Sequence, residues 1–258
     1  MAAGASGAER SSRRVGRLSA SPENLVLLHG FGGTRRAWDL VVSHLSAERY
    51  RPLALDLPGH GGQVNASRPI DFDGCVTSVL ERSPERFMLA GYSMGGRIAL
   101  HIALVAPERV SQLVLVSATA GIEDDGERAA RSERDRRLAE EIEEGTIERF
   151  VDRWRAQSMF ADDPPEVDAL ARADQSRNRP DGIAAALRGV GTGEMRPLWG
   201  RLSDLEMPVA ILVGERDTKF HAPGRRMAEL LPKATLTMVP GGHVLPLENP
   251  AAVADAIS

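Results

Sequence analysis

The residues best placed to do chemistry are Gly91-Tyr92-Ser93-Met94-Gly95, which follow directly on the apolar run Phe87-Met88-Leu89-Ala90. A short buried strand that runs into G-x-S-x-G and then into an amphipathic stretch, Arg97 to Val105, is the setting of a nucleophile elbow. The turn from strand to helix is sharp, so glycines stand where a flanking Cβ would clash. It lifts the serine hydroxyl clear of the sheet and aims the first amides of the next helix at a reacting oxygen. A pentapeptide of this kind also occurs by chance in tight turns. The rest of the chain decides what Ser93 is for.

A reactive serine needs a base, and the base needs an acid to orient it. In a strand-turn-helix arrangement the order along the chain is Ser, then Asp or Glu, then His. Downstream of Ser93 the histidines are His101, His221 and His243. His101 falls inside the elbow helix, eight residues past the serine, where it packs or is solvated. His221 follows Asp217 at the start of a helix or in a loop. His243 follows the last strand in a Gly-rich loop, free to aim its ring back, and is assigned as the base with Asp217 as its acid. Glu215, earlier on the same turn, is the competitor. A second glycine-rich loop, His29-Gly30-Phe31-Gly32-Gly33, can turn the Phe31 amide toward the reacting oxygen, where the Met94 amide completes a pair of oxyanion donors. Each such donor is worth on the order of 3 kcal/mol in a transition state. His29 suits a structural contact in that loop.

Strand and helix signals alternate around these residues. Leu25 to Leu28 reads as a buried strand, Trp38 to Leu45 as helical, and Leu53 to Leu55 as a strand meeting the loop Asp56-Leu57-Pro58-Gly59-His60-Gly61-Gly62. Phe72 to Leu80 and Arg97 to Val105 read as helices; Phe87 to Ala90, Leu113 to Val116, Val209 to Val213 and Leu236 to Val239 read as strands. Repeated βα units give an α/β fold: a mainly parallel sheet with helices on both faces and its chemistry at the carboxyl ends of the strands. The alternation breaks between about 120 and 196, where charged helical sequence predicts a cap inserted after a mid-sheet strand. A solvated decoration is the plainer alternative; a cap over the strand ends would shape a pocket and exclude water. Residues 1–20, rich in Ala, Gly, Ser and Arg, read as a disordered tail, and 21–258 as one domain.

Composition excludes several classes of function. The chain has 258 residues, a formal net charge of −4, 42% hydrophobic and 26% charged residues, ordinary values for a globular protein without a basic nucleic-acid face. The single cysteine, Cys75, rules out an internal disulfide and fits a reducing compartment, hence a cytoplasmic location. No run of about 18 apolar residues predicts a membrane span. The tail lacks the apolar core of a secretory signal, although its basic, Ser-rich composition leaves organellar targeting open. No HExxH-like spacing marks a metal site, and neither a metal nor an organic cofactor is expected.

Taken together, the loop at His29, Asp56-Leu57-Pro58-Gly59-His60-Gly61, the elbow through Gly96, and Asp217 with His243 resemble the α/β-hydrolase superfamily from about Leu25 to the end of the chain. A narrower resemblance rests on Gly91 to Arg97, on Gly126-Glu127-Arg128-Ala129-Ala130-Arg131 through Asp135, on Phe150-Val151-Asp152-Arg153-Trp154 with Phe160, and on Gly214 to Phe220. These segments look like the menaquinone-pathway lyase family of 2-succinyl-6-hydroxy-2,4-cyclohexadiene-1-carboxylate synthases. The resemblance implies elimination of pyruvate from an enolpyruvyl cyclohexene precursor, with Ser93, His243 and Asp217 as triad. It also implies that Tyr92, Arg97, Arg131, Trp154, Lys219 and Phe220 face the substrate.

The residue chemistry agrees with that implication. A substrate with several carboxylates calls for fixed cations, and the planar fork of arginine can hold a carboxylate by two parallel hydrogen bonds. Arg97, Arg131, Arg155 and Lys219 all lie on segments that can approach Ser93. For Arg155 an ordinary ion pair is the favoured reading; it also follows Trp154 where family members often carry an aromatic residue. The partner expected is therefore a small polycarboxylate. A carboxylesterase or carbon–carbon bond hydrolase with the same triad is the alternative, and an inactive binding protein on this scaffold is a third reading against which the intact Ser93, Asp217 and His243 set argues.

Overall fold

The computed structural model describes residues 21–258; the tail expected at residues 1–20 lies outside them. Strands and helices follow as β1 (Glu23–Leu28), α1 (Asp39–His44), β2 (Tyr50–Leu55), α2 (Phe72–Arg82), β3 (Phe87–Tyr92), α3 (Met94–Val105) and β4 (Val110–Val116). Four consecutive helices come next: α4 (Asp125–Glu143), α5 (Ile147–Arg155), α6 (Pro165–Gln175) and α7 (Pro180–Val190). The chain then returns through β5 (Val209–Gly214), α8 (Thr218–Leu230), β6 (Ala234–Val239), α9 (Leu245–Glu248) and α10 (Pro250–Ile257).

All paired strands run parallel, in the order β2-β1-β3-β4-β5-β6. Apolar layers cover both faces, which is why the strands read as continuous apolar runs rather than alternating ones. On β1, Val26 and Leu28 pack on the side of Ile98 and Ile102 of α3. Leu25 and Leu27 face the other way, onto Trp38, Val41 and Val253. The chain leaves β1 for β2 on one side and then crosses back to lay β3 on the other. The crevice that opens beyond β1 and β3 is where such sheets place their ligands, and the loop from His29 and the elbow at Ser93 both end there.

Element limits differ from the sequence expectation by up to three residues: α3 starts at Met94 rather than Arg97, β2 at Tyr50 rather than Leu53 and β4 at Val110 rather than Leu113. Of the stretch expected as helical from Trp38 to Leu45, Trp38 ends a single 3-10 turn, Arg35–Trp38, capped by the Thr34 hydroxyl, and Asp39–His44 form the short α1.

The helices α4, α5 and α7 build a small core of their own, in which Ala139 and Ile142 meet Phe150, Val151, Ile183, Ala184 and Leu187. One contact shows how tightly this unit sits on the rest: a Cβ added to Gly189 of α7 would fall 1.5 Å from the Ile70 carbonyl oxygen. Only glycine allows that backbone-to-backbone approach.

Candidate active site

Ser93 is one of two described residues other than glycine with positive φ, at φ 51° and ψ −109°. A non-glycine residue in such a conformation costs of order 1–3 kcal/mol and persists only where the surroundings over-determine it. Here the surroundings are backbone. The Ser93 amide donates to Val116 O at 2.9 Å, and Gly95 lets the first turn of α3 touch β1, since a Cβ there would fall 2.2 Å from Leu28 O. The hydroxyl is thereby held out beyond the sheet.

His243 reaches it from the loop after β6. Its Nε2 lies 3.1 Å from Ser93 Oγ, and its Nδ1 lies 2.8 Å from Asp217 Oδ2. With the proton on Nδ1 donated to the carboxylate, Nε2 is left to accept from the serine hydroxyl. His243 and Asp217 are 3% and 4% exposed, so the relay is cut off from water on all but the serine side. Glu215 is exposed and does not touch the ring. Phe220 stacks on His243 at 4.8 Å between ring centroids, and Tyr92 and Phe160 flank it at 5.3 and 5.9 Å. Burial, and next the Asp217 charge, pushes the Tyr92 phenol well above its ordinary pKa, so it stays a neutral hydrogen-bonding group.

Of four consecutive amides in the glycine-rich loop, three are bonded within the protein. Gly32 N–H donates to His60 Nε2 at 3.1 Å, Gly33 N–H to Gly30 O at 3.1 Å, and Thr34 N–H to Asp174 Oδ2 at 2.8 Å. Phe31 N–H has no acceptor among the described residues. Met94 N–H, at the first position of α3, has none within its helix either, as is general for a helix start. These are the two amides expected to meet a developing oxyanion.

Above the serine lies a cavity of about 1170 Å³ bounded by the sheet ends and the four-helix unit. One wall is aromatic, with Trp154 4.8 Å from Phe31 and 5.9 Å from Phe150 between ring centroids. The other carries cations. Arg97 is 6% exposed and donates one Nη1 bond to Val190 O at 2.8 Å. Burial, then the neighbouring Arg131 charge, brings its pKa down to about 9. Arg131 spends its Nε on both oxygens of Asp135, at 2.9 Å each. Lys219 also lines the cavity, and burial followed by the Arg131 charge lowers its pKa. Three cations therefore share one wall with Asp135 as the carboxylate in direct contact, an excess that suits an anionic ligand.

Arg155 also borders the cavity, but both ends of its guanidinium are taken. Its side chain is 1% exposed, with Nη2 2.6 Å from Asp163 and Nε 2.7 Å from Asp168. It belongs to the cap's internal ion pairs. Of the remaining histidines, His101 stacks on Phe72 and bonds Arg97 O; His221 donates to Gly214 O at 3.0 Å. His29 accepts from Leu57 N–H at 3.0 Å and donates to Gly30 O at 2.8 Å, a structural pair of contacts. Cys75 is buried and its pKa is raised to about 12, chiefly by burial, which leaves the thiol unreactive.

The structure adds residues that no motif announced. Gln175 is 7% exposed, lines the cavity, and its Oε1 has no hydrogen-bond partner. Asp174 and Asn178 beside it bond the glycine-rich loop. They lie in an ordinary charged helical stretch, and nothing in its spacing marks them.

A parallel sheet with a serine at this elbow, a histidine and aspartate beside it and a helical unit above defines the class, a protein of α/β-hydrolase fold. The model of the Alpha/beta hydrolase family matches residues 25–256. A relative from Bacillus subtilis (strain 168) is 35% identical over 88% of this chain and 86% of its own. One from Enterobacter sp. (strain 638), named 2-succinyl-6-hydroxy-2,4-cyclohexadiene-1-carboxylate synthase, is 33% identical over 91% of this chain and 90% of its own. The solved structure of MenH from S. aureus superposes with a TM-score of 0.84 at 31% identity, covering 91% of each chain. The chain belongs to the alpha/beta hydrolase family and, within it, to the 2-succinyl-6-hydroxy-2,4-cyclohexadiene-1-carboxylate synthases.

Proposed function

We propose that this protein is the lyase its family name describes. It eliminates pyruvate from 2-succinyl-5-enolpyruvyl-6-hydroxy-3-cyclohexene-1-carboxylate in menaquinone biosynthesis. The observation that carries this reading is the pairing, in one cavity, of a serine relay with the unbalanced cations Arg97, Arg131 and Lys219. The relay alone would serve an esterase equally well. A neutral ester would have little use for that cationic wall, whereas a tricarboxylate needs it.

Ser93 Oγ passes its proton to His243 Nε2 and takes the ring proton next to the succinyl ketone. The electron pair moves onto the ketone oxygen, which the Phe31 and Met94 amides hold as an oxyanion. When that pair returns through the ring double bond, the carbon–oxygen bond to the enolpyruvyl group breaks. The leaving enolate takes a proton from His243 on carbon and departs as pyruvate. Asp217 keeps His243 in the required tautomer and stabilises the imidazolium. Arg97, Arg131 and Lys219 take the carboxylates, while Tyr92, Trp154 and Phe220 form the walls. The helices α4 to α7 act as the cap that keeps water from the enolate.

Among the described residues no helix is long and apolar enough to cross a membrane. That, the single buried thiol and a small acidic substrate support action in the cytoplasm.

Pyruvate release from the precursor, generated in place, tests the reading with wild type and Ser93→Ala side by side. Fast release that needs Ser93 is the expected result. No release, with Ser93-dependent cleavage of a nitrophenyl ester, would overturn the lyase in favour of a hydrolase.

A further inference from the structure

The glycine-rich loop that carries the Phe31 amide is held from two sides. From the core, His60 Nε2 accepts Gly32 N–H at 3.1 Å and His29 Nδ1 donates to Gly30 O at 2.8 Å. From the cap, Asn178 Nδ2 donates to Gly32 O at 2.6 Å, while Asp174 accepts the Thr34 amide at 2.8 Å and its hydroxyl as well. Asn178 also accepts Gly61 N–H at 2.8 Å, so one side chain ties together the loops after β1 and β2. Asp174 and Asn178 are 8% and 5% exposed, and they bridge 140 and 146 positions in sequence to reach Thr34 and Gly32.

A loop built of glycines has more backbone freedom to lose than any other, and an oxyanion donor works only if it is already aimed when charge develops. The peptides on either side of Phe31 are each bonded, and its own amide is the one left over. We propose that Asp174 and Asn178 are positioning residues that aim the Phe31 amide from the cap. The proposal rests on Phe31 being an oxyanion donor.

The test is made on the full chain with Asn178→Asp, which keeps the shape and the Gly61 contact but sets an acceptor against the Gly32 carbonyl. Thr34→Val is the milder companion; it removes the hydroxyl bond to Asp174 and the cap on Arg36 N–H, and leaves the Thr34 amide. Pyruvate release is expressed per Ser93 titrated with a fluorophosphonate, so that misfolded molecules are not counted. Asn178→Asp is expected to lower kcat about ten- to a hundredfold with KM changed by less than about twofold. Thr34→Val is expected to lower it by a few-fold, and the pH profile of kcat should not move in either. A raised KM with kcat kept would overturn the proposal and reduce both residues to pocket walls; wild-type kinetics would overturn it too. Should Asn178→Asp not fold, Asp174→Asn carries the same test. If the wild type cleaves only esters, the lyase reading fails by itself, and ester kcat in the same variants still decides the role of the clamp.

Discussion

The carboxyl end of the sheet and the cap above it both hold polar groups inside one cavity, by opposite means. At the sheet end, main chain does the positioning: Ser93 is forced to φ 51° by its turn, and the Ser93 amide is bonded to Val116 O. In the cap, side chains position side chains: Arg155 is gripped by Asp163 and Asp168, and Arg131 by Asp135. Backbone placement is rigid and suits atoms that must meet within tenths of an ångström. Ion pairs are adjustable and suit the holding of a charged ligand. Chemistry is expected of the lower half of the site, and recognition of Arg131 in the cap together with Arg97 of α3 and Lys219 of α8 at its lower edge.

Ser93→Ala should break the lower half outright, with pyruvate release falling on the order of 10⁴-fold or more. Alanine keeps the Cβ and the strained turn, so the melting temperature should stay within a few degrees; a large drop in both would mean that the variant has not folded. Asp217→Asn should cost on the order of 10³–10⁴-fold in kcat by leaving His243 in the wrong tautomer, while fluorescence and thermal melting remain those of the wild type.

In the upper half the largest effect should be on stability. Arg155→Ala leaves Asp163, whose side chain is 2% exposed, without its partner. The expected loss is about 3–5 kcal/mol in urea unfolding, with much of it recovered in the double variant Arg155→Met/Asp163→Leu. Arg131→Ala should behave differently and sharpen the contrast: about 10- to 100-fold less lyase turnover, with any Ser93-dependent ester cleavage largely kept. Equal loss of both activities would place Arg131 with Arg155 among the structural pairs.

The smallest effect concerns pH and the loop between the halves. Burial, first of all, lowers the His60 pKa from 6.5 to about 3. Below pH 6.5 the unfolded chain therefore binds a proton at His60 that the folded chain refuses. Stability is present in full above that pH and is lost as pH falls toward 3, by about 2 kcal/mol from His60 between pH 7 and 5. The buried His29, also lowered mainly by burial, adds in the same direction. Urea unfolding at pH 7 and 5 measures the loss, and His60→Gln should flatten it. An unchanged slope in that variant would show that the protons are taken up elsewhere.

Much of the lower half was legible in the chain itself. Gly91-Tyr92-Ser93-Met94-Gly95, the order Ser93, Asp217, His243 and the loop at His29 are local patterns, because an elbow, a strand end and a glycine turn are each decided by a few adjacent residues. Parallel strands likewise announce themselves as apolar runs, since both faces are covered. The missing strand signals also announced that helices are inserted after β4.

What only the tertiary structure decided is which polar groups are already spoken for. Arg131 and Arg155 look alike in sequence, yet the second has both ends engaged and the first only its Nε. Asp217 stands against His243 and Glu215 does not. Asp174 and Asn178 carry no motif because their partners are far away along the chain, and Gln175 carries none because its Oε1 has no partner at all. Local sequence determines backbone conformation and the type of each side chain; the pairing of charges, and which amide of the glycine-rich loop stays free, depend on distances that exist only once the sheet, the loop and the cap have closed on one another.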